Sequence, residues 1–229
     1  MIAITFALPT ESSDLIRQLG PVQRDGSLVF GKIDNHEVTI LHTGVGPKNC
    51  AARMETLLHK AQPRLLISSG FAGAVRNGFC VGDLILAENF SDQQLLVSAR
   101  EVLRDRDARA VKLFTSQTIA DGISERNEIA RSRNVDAVDM ETETIAEVCA
   151  AHGVPMLSLR AISDAPGEPF PAPASVLFDI ERQRIPFSKL VGYLITHPSA
   201  VWPLVSFPRR IAQARANLTG AIVALVREL

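Results

Sequence analysis

Residues 135–168 read Val-Asp-Ala-Val-Asp-Met-Glu-Thr-Glu-Thr-Ile-Ala-Glu-Val-Cys-Ala-Ala-His-Gly-Val-Pro-Met-Leu-Ser-Leu-Arg-Ala-Ile-Ser-Asp-Ala-Pro-Gly-Glu. The first half is a short apolar strand that ends in an acidic pair, Asp139 and Glu141, where a helix begins. A Gly153-Val154-Pro155 turn leads into a second strand, Val154 to Ile162, which ends in Ser163-Asp164 with Pro166 and Gly167 just beyond. Two strands therefore bring carboxylates to their carboxyl ends, the place where open α/β sheets hold ligands.

Upstream of this stretch, strand and helix alternate. Ile2 to Leu8 reads as a buried first strand, and Pro9-Thr10 leads into a helix around Glu11–Leu19 with Thr10 as N-cap. Ser27–Ile33 and Glu37–Thr43 flank an Asp34-Asn35 turn as a hairpin. Gly44-Val-Gly46-Pro47 opens a helix to about Ala61, with proline at the first helical position. Leu65–Ser69 is a short buried strand that runs into a turn, Gly70-Phe71-Ala72-Gly73, and Asp83–Asn89 is another strand. Residues 92–112 read as loop with one short strand, and 121–133 as helix.

Downstream, five Pro and Gly residues between Pro166 and Pro173 impose an irregular loop. The tail, about 186–229, reads as two helices, Phe187–Thr196 and Arg209–Arg227, separated by His197-Pro198 and Pro203/Pro208. The expected fold is thus α/β in one domain over 1–229: a mixed central sheet flanked by helices on both faces.

Composition narrows the function. Of 229 residues, 46% are hydrophobic and 21% charged, enough for a full core and against disorder. The 24 basic and 25 acidic residues cancel to −1, and the basic ones form no stripe, so nucleic acid is not an expected partner. The run Arg104-Asp-Arg-Asp-Ala-Arg109 reads as a solvated face. Cys50, Cys80 and Cys149 lack Cys-x-x-Cys pairing and read as buried small side chains in a reducing cytoplasm. The five histidines show no ligand spacing, so neither a metal nor an organic cofactor is implied. No run of 18 apolar residues suggests a membrane span, and Met1–Leu8 reads as a strand rather than a signal segment.

Gly44-Val-Gly46-Pro-Lys-Asn49 lacks the third glycine of a dinucleotide fingerprint and the Gly-Lys-Ser/Thr of a P-loop. It is either a left-handed turn or a loop that approaches an anion or sugar. Glycines in Ser69-Gly70-Phe71-Ala72-Gly73 let a ligand lie against the main chain. Glu11, Glu141 and Asp164 each have a bland alternative, as first-turn dipole residues or a loop cap.

In order and spacing these pieces resemble the purine nucleoside phosphorylase and methylthioadenosine/S-adenosylhomocysteine nucleosidase superfamily. The resemblance covers most of residues 1–165. It rests on Leu8-Pro-Thr-Glu11, Thr43-Gly-Val-Gly46, Ile67-Ser-Ser-Gly-Phe-Ala-Gly73, Val81-Gly-Asp83, Val138-Asp-Met-Glu141 and Arg160-Ala-Ile-Ser-Asp164. It implies homo-oligomers that cleave the N-glycosidic bond of a purine nucleoside. Asp164 would then serve N7 of the leaving purine, Met140 and Glu141 the ribose, and Phe71, Ala72 and Gly73 the base and sugar. Glu11 would position or deprotonate water, and Asp139, Gly70 and Gly44 would complete the binding site.

Two departures bear on the acceptor. Ser68 stands where the phosphorylases carry a phosphate-binding arginine, and Phe71 where they carry a small hydroxyl residue. The Pro-rich loop and the tail, with Trp202 and Arg209-Arg210, instead resemble the hopanoid-associated phosphorylases, whose adenosine bears a large apolar group. Glu11 and the missing arginine point to water; the tail's resemblance points to phosphate. A catalytically silent nucleoside-binding domain is the rival from another class, and the joint presence of Glu11, Glu141 and Asp164 argues against it.

Overall fold

Alternation of buried residues along Met1–Phe6 shows how the layers form. Ile2, Ile4 and Phe6 pack into one core cluster and Ala3 into another, because successive strand residues face opposite sides of a sheet. The computed structural model describes residues 1–44, 46–118, 120, 122–167, 169, 170, 172, 196 and 201–229. Its strands are β1 (Ile2–Phe6), β2 (Gln23–Asp25), β3 (Leu28–Ile33), β4 (His36–His42), β5 (Leu65–Ala74), β6 (Leu84–Ala87), β7 (Arg109–Val111), β8 (Leu113–Thr115), β9 (Ala137–Asp139) and β10 (Met156–Asp164). All ten join one mixed sheet in the order β2-β3-β4-β1-β5-β10-β6-β7, with β9 on β5 and β8 on β9.

The helices are α1 (Ser13–Gln18), α2 (Pro47–Ala61), α3 (Gln93–Val102), α4 (Ile123–Arg133), α5 (Thr142–Ala151) and α6 (Val201–Glu228). One face of the sheet is covered by α1, α3 and α6 through Leu15, Leu96, Leu218, Ile222 and Leu225. The other is covered by α2 and α5 through Cys50, Met54, Leu57, Ile145 and Cys149. Helices on both faces of a mixed sheet are what the alternating sequence implies, and the Asp34 turn does join an antiparallel pair, β3 and β4.

Several local expectations are corrected. Thr10 is not the N-cap: the first helix starts at Ser13, with Ser12 before it, and the Ser12 hydroxyl donates to Pro9 O instead. Residues 92–112 are mostly helical. Asp92 caps α3 by accepting from the Gln94 and Leu95 amides at 2.9 and 3.1 Å, a contact worth about 1 kcal/mol. The stretch looks polar because within α3 only Leu96 and Ala99 are buried, a narrow stripe on a solvated helix. Gly70–Gly73 is not a turn but the second half of β5. Pro208 does not divide the tail: α6 runs through it and forgoes one ladder hydrogen bond, the proline having no N–H to give. Cys80 is exposed, whereas Cys50 and Cys149 are buried as expected. The Phe187–Thr196 helix falls, apart from Thr196, outside the described residues.

The arrangement of β5 makes the site. Its first half pairs with β1, ending at Thr5 opposite Ser68; its last residues pair with β9, beginning at Gly73 opposite Val138. Between those partners β5 has, among the described residues, no strand neighbour on that side, while β10 lies along its other edge from Leu66 to Gly73. A crevice therefore opens beside Ser69–Ala72, at the carboxyl ends of β1 and β10.

Candidate active site

A cavity of about 320 Å³ occupies this crevice. Glu11 enters from the loop after β1, and Phe71, Ala72 and Gly73 form its floor on β5. Asp139, Met140 and Glu141 come from the β9–α5 junction, and Ser163 and Asp164 from the end of β10. Phe170, Phe207 and Ile211 close it with apolar surface. Eight of the residues singled out in the sequence thus meet around one space. Gly70 lies beneath Glu11, and Gly44 is set back, its amide bonded to Ala7 O at 3.0 Å.

Backbone approach explains the glycines. Gly70 has φ +145°, and a Cβ there would sit 3.4 Å from Glu11 Oε1. A Cβ on Gly73 would come 3.0 Å from Asp164 Oδ2. A side chain at Gly73 would press the Asp164 carboxyl aside by a few tenths of an ångström, and at Gly70 the positive φ itself disfavours one.

Each carboxyl group has its own environment. The Leu8 amide donates to Glu11 Oε2 at 2.9 Å. Burial nevertheless raises the pKa of Glu11, with the Leu8 amide, the Arg160 guanidinium and the Phe71 and Ala7 amides opposing. Glu141, just before α5, is pushed up to about 8 by burial first, then by the Asp139 and Glu11 carboxylates, with Arg160 opposing. Asp139 is spent on the protein: Arg160 donates to its Oδ2 at 3.0 and 3.1 Å, and the Thr115 hydroxyl to its Oδ1 at 2.9 Å. Thr142 donates to it as well, from both amide and hydroxyl. At Asp164, Ser163 Oγ donates to Oδ1 at 2.6 Å and Arg126 to Oδ2, both residues being buried.

Arg160 and Arg126 are the residues whose roles were missed in the sequence. Arg160 gave a signal, a charge inside a strand whose nine residues are all buried. Its guanidinium also donates to the Ser68 hydroxyl at 2.9 Å. Arg126 gave none, since it lies in the polar sequence of α4. Phe207 and Ile211 were hidden in the tail's apolar pattern. No lysine or arginine is among the described residues that line the cavity, and none of those residues forms a cluster able to hold a metal ion. No helix among the described residues is long and apolar enough to cross a membrane.

The raised pKa of Glu141 has a stability consequence. A carboxyl group whose pKa is higher folded than unfolded contributes fully below about 4.5, and that contribution is lost as pH rises toward 8. Glu141→Gln imitates the neutral form, so it should be more stable than wild type at pH 8 by at least about 1.4 kcal/mol, one pKa unit's worth. In this size range that is roughly 3–5 °C in Tm. The gain should shrink toward pH 5. Thermal unfolding at both pH values measures it, and a pH-independent difference would show that Glu141 is not buried as a neutral acid.

Known proteins share this architecture and sequence. A 5′-methylthioadenosine/S-adenosylhomocysteine nucleosidase of Haemophilus influenzae (strain PittEE) is 29% identical over 163 residues, 58% of this chain and 71% of that one. One from Staphylococcus haemolyticus is 26% identical over 162 residues, again 58% and 71% of the two chains. The crystal structure of Streptococcus pneumoniae MTA/SAH nucleosidase in complex with 8-aminoadenine superposes with a TM-score of 0.76 at 22% identity, over 100% of this chain and 99% of that one. At that identity the likeness is one of fold. A family model described as the phosphorylase superfamily matches residues 1–112 and 89–191, taking in β1, both halves of β5 and both strands that carry the cavity's acids: the chain belongs to the phosphorylase superfamily.

Proposed function

We propose that this protein hydrolyses the N-glycosidic bond of a 5′-modified adenosine, releasing adenine. The observation that carries the reading is the convergence of Glu11, Glu141 and Asp164 on one cavity whose floor is glycine-lined backbone. Breaking the C1′–N9 bond leaves its electron pair on the purine and positive charge on the sugar. An acid at the base and carboxylates at the ribose match that charge separation. Asp164 gives its proton to N7 as the bond breaks. Glu141 holds the ribose hydroxyls with Met140 packed against the ring, each hydrogen bond of its neutral carboxyl group being worth about 0.5–1.5 kcal/mol. Glu11 takes a proton from the water that attacks C1′, and burial makes it a stronger base for that purpose. Asp139 supports the site by orienting Arg160 and the start of α5.

Water is favoured over phosphate by the charges. No lysine or arginine is among the described residues that line the cavity to receive an anionic acceptor, and Arg160 is engaged by Asp139, Thr142 and Ser68. Similarity to the named nucleosidases supports the same choice. The apolar wall of Phe170, Phe207 and Ile211 suits a 5′ substituent without charge. Free thiols at Cys50, Cys80 and Cys149 fit a cytoplasmic setting, and a homo-oligomer is the assembly the family resemblance implies.

The test is product analysis with 5′-methylthioadenosine, whose 5′ group is uncharged, and with S-adenosylhomocysteine, whose charged group should make it the poorer substrate, each with and without phosphate. Adenine and a free sugar should form at equal rates in both buffers. A strict phosphate requirement with a sugar-1-phosphate product would transfer the protein to the phosphorolytic reading. No turnover of any purine nucleoside would leave only binding.

A further inference from the structure

The helix α4 has the sequence Ile-Ser-Glu-Arg-Asn-Glu-Ile-Ala-Arg-Ser-Arg, and its one fully buried residue is Arg126, 2% exposed. An amphipathic helix buries its apolar residues most deeply; here Ile129 and Ala130 are only partly buried against the core and the guanidinium lies deepest. Arg126 Nη1 donates to Ala74 O at 2.9 Å, and Nη2 donates to Asp164 Oδ2. Its Nε has no hydrogen-bond partner among the described residues. Desolvating both members of an ion pair is costly, and apolar residues of similar volume often serve stability as well or better. A pair kept purely for stability would also be expected to be saturated.

The pair's location gives it a use. Asp164 is held from two sides, by Ser163 Oγ on Oδ1 and Arg126 on Oδ2, while Gly73 leaves room for the carboxyl against β5. The chain just before α4 supplies Thr118 and Ala120 to the cavity wall, so Arg126 ties that wall to the acid. Arg126 itself is not part of the lining.

We propose that Arg126 is a positioning residue for leaving-group protonation. It fixes the Asp164 carboxyl toward the base: the pair is ionised in the free protein, Asp164 takes up a proton from solvent as the purine binds, and Arg126 stabilises the negative charge that returns to Asp164 when that proton passes to N7 and the C1′–N9 electron pair moves onto the purine. The inference rests on the proposed role of Asp164.

Leaving-group dependence tests it. Arg126→Ala, Arg126→Lys and Asp164→Asn are compared on 5′-methylthioadenosine and on a 4-nitrophenyl 5-methylthioriboside, whose phenolate departs without a proton. Arg126→Ala should lower kcat on the purine nucleoside about 10-fold or more with KM little changed, a fraction of the 10²–10⁴ that a general acid supplies. Its kcat on the aryl riboside should stay within about twofold of wild type. Millimolar guanidinium should restore part of the purine activity. Arg126→Lys, which keeps a cation in place, should show the same selective loss at smaller size and covers the case in which the alanine variant does not fold. Equal losses on both substrates, or unchanged purine turnover, overturn the proposal. Equal loss on both substrates for Asp164→Asn removes Asp164 as the acid, and the role of Arg126 with it.

Discussion

Asp164→Asn should slow adenine release by about 10²-fold or more, since the amide cannot supply the proton a leaving purine needs. The structure adds a second expected effect. Asp164 is the charge partner of a buried arginine, and removing one partner of such a pair typically costs about 3–5 kcal/mol. The variant should therefore be both slow and less stable. Turnover has to be measured well below its unfolding temperature, on protein shown to be folded. Asp164→Asn combined with Arg126→Met, which removes both charges, should recover much of the stability and none of the rate. Near-normal turnover by folded Asp164→Asn would take the residue out of the reaction.

Glu11→Gln should abolish hydrolysis to a similar degree, roughly 10²–10⁴-fold, the usual contribution of a positioned base. Its cause differs. The amide oxygen of glutamine can still accept from the Leu8 amide, and the neutral side chain suits a buried position where the carboxyl's own pKa is raised. Stability and KM should stay near those of wild type while kcat falls. A variant that keeps its rate, or loses substrate binding in proportion, would show that Glu11 holds the sugar rather than activating water. The contrast between the two variants follows from their surroundings: one carboxyl group balances a buried cation in direct contact, the other is held by a backbone amide.

Much of this site was legible in the sequence. Strands that end in Asp139-Met-Glu141 and Ser163-Asp164 stand out, because acids that close an apolar run are costly to bury without a task. Paired glycines at 70 and 73 marked close backbone approach, although they lie within a strand, and only β9 joining the far end of β5 makes that possible. Pairing between strands so distant in sequence leaves no local trace. The same holds for Arg126, which lies 38 residues from the carboxylate it serves, in a helix whose two inward-packed apolar residues, Ile129 and Ala130, are too few to mark which side turns inward. Asp139 read as a binding residue because its type and place fit; it lines the cavity, and its hydrogen bonds to Arg160, Thr115 and Thr142 join partners that no local pattern reveals. Pro208 misled because its geometric restriction is local, whereas α6 is held by Ala214, Leu218, Ile222 and Leu225 against the sheet.

The helix α6 also governs when this protein can become an enzyme. It follows every other described element in the chain, yet it covers the sheet face behind β10 and lends Phe207 and Ile211 to the cavity. A nascent chain that has already made β1, β5 and β10 possesses Glu11, Glu141 and Asp164 but exposes a broad apolar surface and an unwalled crevice. Synthesis has to reach the last residues of α6 before the acids are shielded from bulk water. Premature termination anywhere within that helix should therefore yield a product prone to aggregate rather than a slow catalyst.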